Sequence, residues 1–446
     1  MALGIFLLLL SRSVLAAPIF PSMIFFENST LDGKANYTED QLHHDQVQLA
    51  GHYNLAIAGW GEDSDTPPVK RHEEAKLANI SALIKVSYPG TVTAVYAGQF
   101  ELVDPAYDLQ REIIEQEDVY GGMFMKNDHG EFLAPNGGMR IWDFRNQSAI
   151  DWHTKMVTGY FATNASGVDA VFFDEGDSFA CQYDCRPHDT CKTMPSALEW
   201  HQGAIRAWVG AAKIMAQNGK RAILSSQNAF KSASPELWKE RKPKGCPVPE
   251  DEVAAQMKAE GVPYMRFYEY FLVPEQFHGG SNPYPSGTSW LPGPSKGQTW
   301  HLCRNQIANA IEEGLHEGIN FVGAATSAWP FANRTQRVEA LRFHIAAFLI
   351  ARSRVPFRQP HDRMQFTDYF GFDWQGHTAE CPHTRWGDCA HSWEEVEAEY
   401  ARDYGVPLTD AQEVSMGRFV RAYSKVNITV DCGTTGVAAA TYDWLD

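Results

Sequence analysis

The sequence predicts an α/β protein of the (β/α)8 TIM-barrel class with a small C-terminal strand extension. Three observations lead there. Eight short runs of β-formers alternate with segments of helical periodicity. No Ser/Gly linker or low-complexity tract divides the 446 residues, so one large domain accounts for most of the chain. The Gly-rich fingerprint that usually accompanies a doubly wound nucleotide-binding sheet is missing.

In chain order, the strand candidates are Met23 to Glu27, Leu55 to Trp60, Thr91 to Ala97, Val168 to Asp174, Arg221 to Ser226, Tyr264 to Glu269, Asn320 to Ala325 and Met364 to Phe370. Helical segments lie between them. Ser196-x-x-Glu199 reads as a capping box that opens a stripe of Leu198, Ile205, Trp208, Val209, Ala212 and Met215, and Gly219 closes it just before the next strand. Val338 to Ile350 is apolar enough to pack along a barrel wall. A helix from about Trp393 and two strand-like runs, Val426 to Asp431 and Val437 to Tyr442, form the extension, too short for a full β-sandwich domain. The expected division is therefore a signal peptide at 1–17, a barrel at 18–392 and the extension at 393–446.

The signal peptide is read from the apolar run Ile5 to Leu10 and the small-residue pattern Val14-Leu15-Ala16. No Lys or Arg precedes the apolar run and Arg12 follows it, which leaves an uncleaved anchor as the alternative, but so short a run cannot span a bilayer, which takes about 20 residues. Sequons at Asn28, Asn36, Asn79, Asn146, Asn164, Asn333 and Asn427 fit a secreted, extracellular glycoprotein. Eight cysteines fit a few bridges rather than a disulfide scaffold. Cys381 with Cys389 is the easiest pairing. Cys181, Cys185 and Cys191 crowd one segment, Cys246, Cys303 and Cys432 are scattered, and connectivity stays open. Cys181-x3-Cys185-x2-His188-x2-Cys191 also has ligands enough for zinc, as has the run of His377, His383 and His391; an oxidising compartment favours bridges over a metal.

Composition excludes several functions. The formal net charge of −17 makes nucleic acid an unsuitable partner, because phosphate binding needs clustered Lys and Arg. No stretch is long and apolar enough for a membrane partner. There is no P-loop, no GxSxG elbow and no HExxH, so nucleotide, serine-hydrolase and metallopeptidase readings have no carrier, and no cofactor is called for.

In a barrel of this class the chemistry lies at the C-terminal ends of the strands. Those ends read Glu27, Trp60, Gln99, Asp174 with Glu175, Gln227 with Asn228, Glu269, Trp329, and Asp373 with Trp374. Carboxylates, amides and indoles suit a sugar: acids cleave, amides hold hydroxyls, and aromatic faces take the apolar side of the ring. The plain alternative for each tryptophan is core packing, since the chain has 13. For Asp174, in GVDAVFFDEGD, the alternative is a helix N-cap or an ion pair.

The segment IWDFRNQSAIDWH, beginning at Ile141, followed by GVDAVFFDE, resembles the retaining glycoside hydrolase barrels of the α-glucosidase and α-galactosidase type, and also the "hypothetical glycosyl hydrolase" barrels related to polygalactosaminidases. The resemblance is close over this segment and architectural elsewhere. It implies that Asp174, ending strand four, is the nucleophile and that Glu269, in RFYEYF after strand six, protonates the leaving oxygen, with Asp143 in the substrate-binding strand. The chain departs from the pattern in Ala170 for a glycine, in Glu175 beside the aspartate and in having no large C-terminal β-domain.

The chemistry needs two carboxyls of different proton affinity. Asp174 is expected to be ionised; Glu269, flanked by Phe267, Tyr268, Tyr270 and Phe271, is expected to hold its proton, with a structural pairing to Arg266 as the alternative. Glu175 is the rival for either role, although strand alternation sends it to the face opposite Asp174. Retention requires the Asp174 and Glu269 carboxyls about 5 to 6 Å apart, inversion about 6.5 to 9.5 Å. The rival functions are a non-catalytic carbohydrate-binding barrel and a metal-assisted hydrolase.

Overall fold

The computed structural model describes residues 23–26, 47, 50–51, 53–59, 73–100, 102–127, 129–133, 139–174, 197–226, 256–257, 259–268, 299–312, 320–325, 334–352, 365–368, 398–399, 402–433 and 438–445. Its strands are β1 (Met23–Phe26), β2 (Leu55–Ala58), β3 (Val92–Gln99), β4 (Leu102–Val103), β5 (Arg140–Ile141), β6 (Ala170–Asp174), β7 (Arg221–Ser226), β8 (Met265–Tyr268), β9 (Asn320–Ala325), β10 (Gln365–Asp368), β11 (Gln412–Ser415), β12 (Arg418–Ala422), β13 (Val426–Asp431) and β14 (Ala439–Trp444). Its principal helices are α1 (Glu73–Ser87), α2 (Asp108–Glu115), α3 (Glu117–Tyr120), α4 (Gln147–Trp152), α5 (Gly159–Thr163), α6 (Ala197–Gln217), α7 (Thr299–Glu312) and α8 (Arg334–Ala351).

Eight strands pair in the order β1-β2-β3-β6-β7-β8-β9-β10, and every pairing is parallel. The first and eighth staves approach within 8 Å Cα to Cα, so the sheet curls back on itself as a (β/α)8 barrel. All eight staves coincide with the runs read from the sequence, β7 and β9 to the residue. The reason is patterning: a stave buried on both faces is a short, near-continuous apolar run, and Leu55–Ala58 and Ala170–Asp174 are buried at every position.

The helices fill the outer layer. In α6 the expected stripe is the buried face, with Ile205, Trp208, Val209, Ala212 and Met215 all inside, and Gly219 ends the helix at φ 71°, a left-handed conformation that glycine adopts without strain. Gly203, in the same helix, has no room for a side chain: a Cβ there would lie 1.7 Å from the Phe144 carbonyl oxygen. On the face of the barrel opposite the C-terminal strand ends, Asp169 pairs with Lys85 of α1 at 2.5 Å and accepts the Thr93 main-chain N–H at 2.9 Å, tying staves three and four to the helix outside them. Among the described residues no helix is long and apolar enough to cross a membrane.

The extension is larger in strand content than expected. It is a four-stranded antiparallel sheet, β11-β12-β13-β14, of which only β13 and β14 were anticipated. Two features hid β11 and β12: β11 is exposed at every position, and β12 carries two arginines. One of them, Arg421, is buried and donates to the carbonyls of Leu349 and Ile350, both at 2.9 Å, and to that of Arg352, while the Tyr423 hydroxyl donates to Leu349 O at 2.6 Å. A cation thus meets the negative end of α8, satisfying carbonyls that have no partner within the helix. Cys303 of α7 is bonded to Cys432, just after β13. Cys381, Cys389 and the Cys181–Cys191 cluster lie outside the described residues, as do the apolar run at 5–10 and the helix start at Trp393.

Candidate active site

Asp174 ends the fourth stave, 7% exposed. Its direction follows from its neighbours. Phe173 packs against Phe100 (5.4 Å between ring centroids), His153 (5.8 Å) and Trp208 (6.4 Å), placing its face toward the helical layer. Alternation then turns Phe172 and Asp174 to the other face, the barrel interior. There Phe172 meets the Tyr96 ring at 5.7 Å, and the Tyr96 hydroxyl lies 3.3 Å from Asp174 Oδ2, donating to it. A carboxylate this buried needs such donors to be tolerated.

The backbone beside it is irregular. Between Tyr96 and Gln99 stave three carries one residue more than stave four does between Phe172 and Asp174, a β-bulge, with Gly98 at φ 88° inside it. Phe100 N–H then donates to the Asp174 carbonyl at 2.8 Å. The bulge is clamped from outside: the Tyr107 hydroxyl donates to Tyr96 O at 2.6 Å, and Gln110 donates to Ala97 O at 3.3 Å while accepting Asp104 N–H at 2.7 Å. Gln110 belongs to α2, whose first N–H groups, of Asp108 and Leu109, donate to the Glu74 carboxylate at 2.7 and 2.9 Å. Burial pushes the Glu74 carboxyl above its ordinary value while those two N–H groups pull it back. A chain of contacts therefore runs from Glu74 through α2 and the bulge to Tyr96 and Asp174.

Asp143 stands apart from the stave ends. It follows β5 of the two-stranded ribbon that β5 makes with β4, and Arg145 holds its carboxylate with two 2.7 Å bonds. The Asp143 carboxylate in turn raises the Arg145 guanidinium further above its ordinary value. The ribbon is fixed by indoles: Trp142 donates to Leu102 O at 3.2 Å and Trp200 of α6 donates to Trp142 O at 2.7 Å.

Of the other expected site residues, Glu269, Glu175, Glu27, Trp60, Gln227, Asn228, Trp329, Asp373 and Trp374 lie outside the described residues. So does the Asp174 to Glu269 separation. The described backbone does lead to three of them: β1, β7 and β8 end one residue before Glu27, Gln227 and Glu269, and because the staves are parallel these ends share the face of Asp174. Gln99 is directly opposite Asp174 in the register. Among the described residues no three His, Cys, Asp or Glu side chains converge to hold a metal ion.

Sequence reasoning missed Tyr96, Tyr107, Gln110 and His153. His153 is 3% exposed and ringed by Phe100 (4.5 Å), Trp142 (5.6 Å) and Phe144 (5.7 Å); it begins a π-helical turn, His153–Thr158, between α4 and α5. The residues FRNQSAIDWH gave no sign of that turn. Tyr96 was within reach, standing near the end of an alternating run, but its partnership with Asp174 depends on the bulge.

Eight parallel staves in a sheet that curls back on itself, with a buried, inward-facing acid ending the fourth, make a (β/α)8 barrel. Similar solved structures are the pullulanase of Anoxybacillus sp. LM18-11 (9% identity, TM-score 0.54, covering 96% of this chain and 65% of that one), an α-amylase from Lactobacillus plantarum (9%, 0.49, 93% and 89%) and sucrose 6F-phosphate phosphorylase from Thermoanaerobacter thermosaccharolyticum (9%, 0.44, 97% and 99%). The likeness to the pullulanase is one of fold. No protein-family model and no curated protein matches the sequence.

Proposed function

We propose that this protein is a secreted glycosidase that cleaves an O-glycosidic bond of a carbohydrate with two carboxyl groups and net retention. Asp174 attacks the anomeric carbon as the glycosidic C–O bond breaks, and Glu269 gives its proton to the leaving oxygen. Glu269 then takes a proton from water, whose oxygen displaces Asp174 from the same carbon. The observation that carries this reading is the buried Asp174 carboxylate on the inner face at the end of stave four. A fold of this kind hosts many chemistries, so the residue and not the barrel carries the argument. The amino-terminal apolar segment and the sequons support the secretory route.

The test is an activity screen of the parent, Asp174→Asn and Glu269→Gln against a panel of aryl glycosides and polysaccharides. Hydrolysis by the parent, its collapse in Asp174→Asn and a loss of about 10²–10⁴-fold in Glu269→Gln on substrates with poor leaving groups are expected. An inert parent that still binds sugar as tightly after Asp174→Asn marks a carbohydrate-binding barrel instead.

A further inference from the structure

The outward row of α1 has the wrong chemistry for a bare surface. Its exposed positions are Ala75, Asn79, Leu83, Val86 and the terminal Ser87, with Leu83 39% and Val86 76% exposed. The opposite face is apolar as well, with Leu77, Ile80 and Ile84 buried against the barrel. Of the two lysines in α1, Lys85 is turned to Asp169 and the Thr91 carbonyl and Lys76 is half-buried. A helix apolar on both faces is normally buried on both. Asn79, which with the terminal Ser87 supplies the polar groups at these exposed positions, opens the sequon Asn79-Ile80-Ser81.

Ser81 sharpens the point. It is fully buried, and its hydroxyl makes no hydrogen bond. The fold gains nothing from that hydroxyl, since alanine is the better helix former and leaves no polar atom stranded. A sequon, in contrast, requires it.

We propose that Asn79 carries an N-linked glycan that covers the Leu83 and Val86 stripe of α1, a modification resting on the secretory part of the function proposed above. Transfer to the extended nascent chain precedes burial of Ser81, so the folded position of the hydroxyl is no obstacle. The Asn146 sequon has a different character: its side chain accepts Ser148 N–H at 2.9 Å as the cap of α4 and donates to the Gly122 carbonyl at 2.8 Å, so its amide serves the fold.

The test uses the full chain, with its own amino terminus, made in a eukaryotic secretory host. Peptides are released with peptide-N-glycosidase in heavy-oxygen water and read by mass spectrometry, and Ser81→Ala and Ser81→Ala with Leu83→Glu and Val86→Lys are made alongside. Heavy-oxygen label at Asn79 in the parent is expected. Ser81→Ala should lose the label, keep the parent's circular dichroism and form soluble aggregates, and the triple variant should return to monomer. An unlabelled Asn79, or a Ser81→Ala protein as monomeric as the parent, overturns the proposal. The readout is a peptide mass rather than turnover, so a glycosylated but inactive protein counts against the glycosidase reading alone.

Discussion

Tyr96 reaches Asp174 across one interstrand gap and donates to the inner-face carboxylate at 3.3 Å. A hydrogen bond to a charged acceptor contributes about 1.5–3 kcal/mol, and one this long belongs at the lower end. Tyr96→Phe keeps the ring against Phe172 and removes the donor. The expected result is a fall of about tenfold in kcat/KM together with a displacement of the acidic limb of the pH–rate profile to higher pH, because the ionised form loses a partner. A drop without that displacement would make Tyr96 a packing residue. At this scale the place of Asp174 at the end of a buried stave was legible, because the apolar run before it is short and continuous. Tyr96 was not, since one inserted residue at the bulge decides which side chains meet, and alternation alone does not count it.

The helical unit formed by α4, the π-helical turn and α5 sets His153 among aromatic rings, and burial pushes that imidazole from its ordinary 6.5 down to about 3. Between those two values the unfolded chain holds a proton that the folded chain refuses. Stability from this group is therefore complete above pH 6.5 and is lost as pH falls toward 3, by up to about 1.4 kcal/mol per unit. Denaturant titrations at pH 7 and pH 5 should show the loss in the parent and a smaller one in His153→Phe; equal losses in both proteins would dismiss His153 as the source. Elements as such were well announced. β7, β9 and β13 begin and end where their patterns do, because apolar runs bounded by polar or glycine residues leave few options. β12 was concealed by Arg421, which pattern reading assigns to solvent and the structure assigns to the carbonyls of α8.

On the scale of the molecule, the barrel and the C-terminal sheet are joined by α8, by the Arg304 to Glu413 ion pair at 2.5 Å and by the Cys303 to Cys432 bond across a separation of 129 residues. A crosslink closing so long a loop contributes about 2–5 kcal/mol, chiefly by restricting the unfolded chain. Cys303→Ala with Cys432→Ala should lower the unfolding free energy by that amount in denaturant titrations, with unchanged hydrolysis; an unaltered midpoint would show that the sheet is held without the bond. No sequence argument singled out this pair, because partners 129 residues apart are chosen by the packing of α7 beside β13 rather than by spacing. The barrel itself was readable for the opposite reason, its rhythm being local and repeated.

That same bond encloses β9 and β10, the two staves that complete the ring, in one covalent loop. A protease that nicks the chain anywhere inside the loop would leave two fragments still joined, and they would part only when a reductant and an unfolding agent act together. The seam where the wall curls shut is thus a stretch that one cut cannot set free.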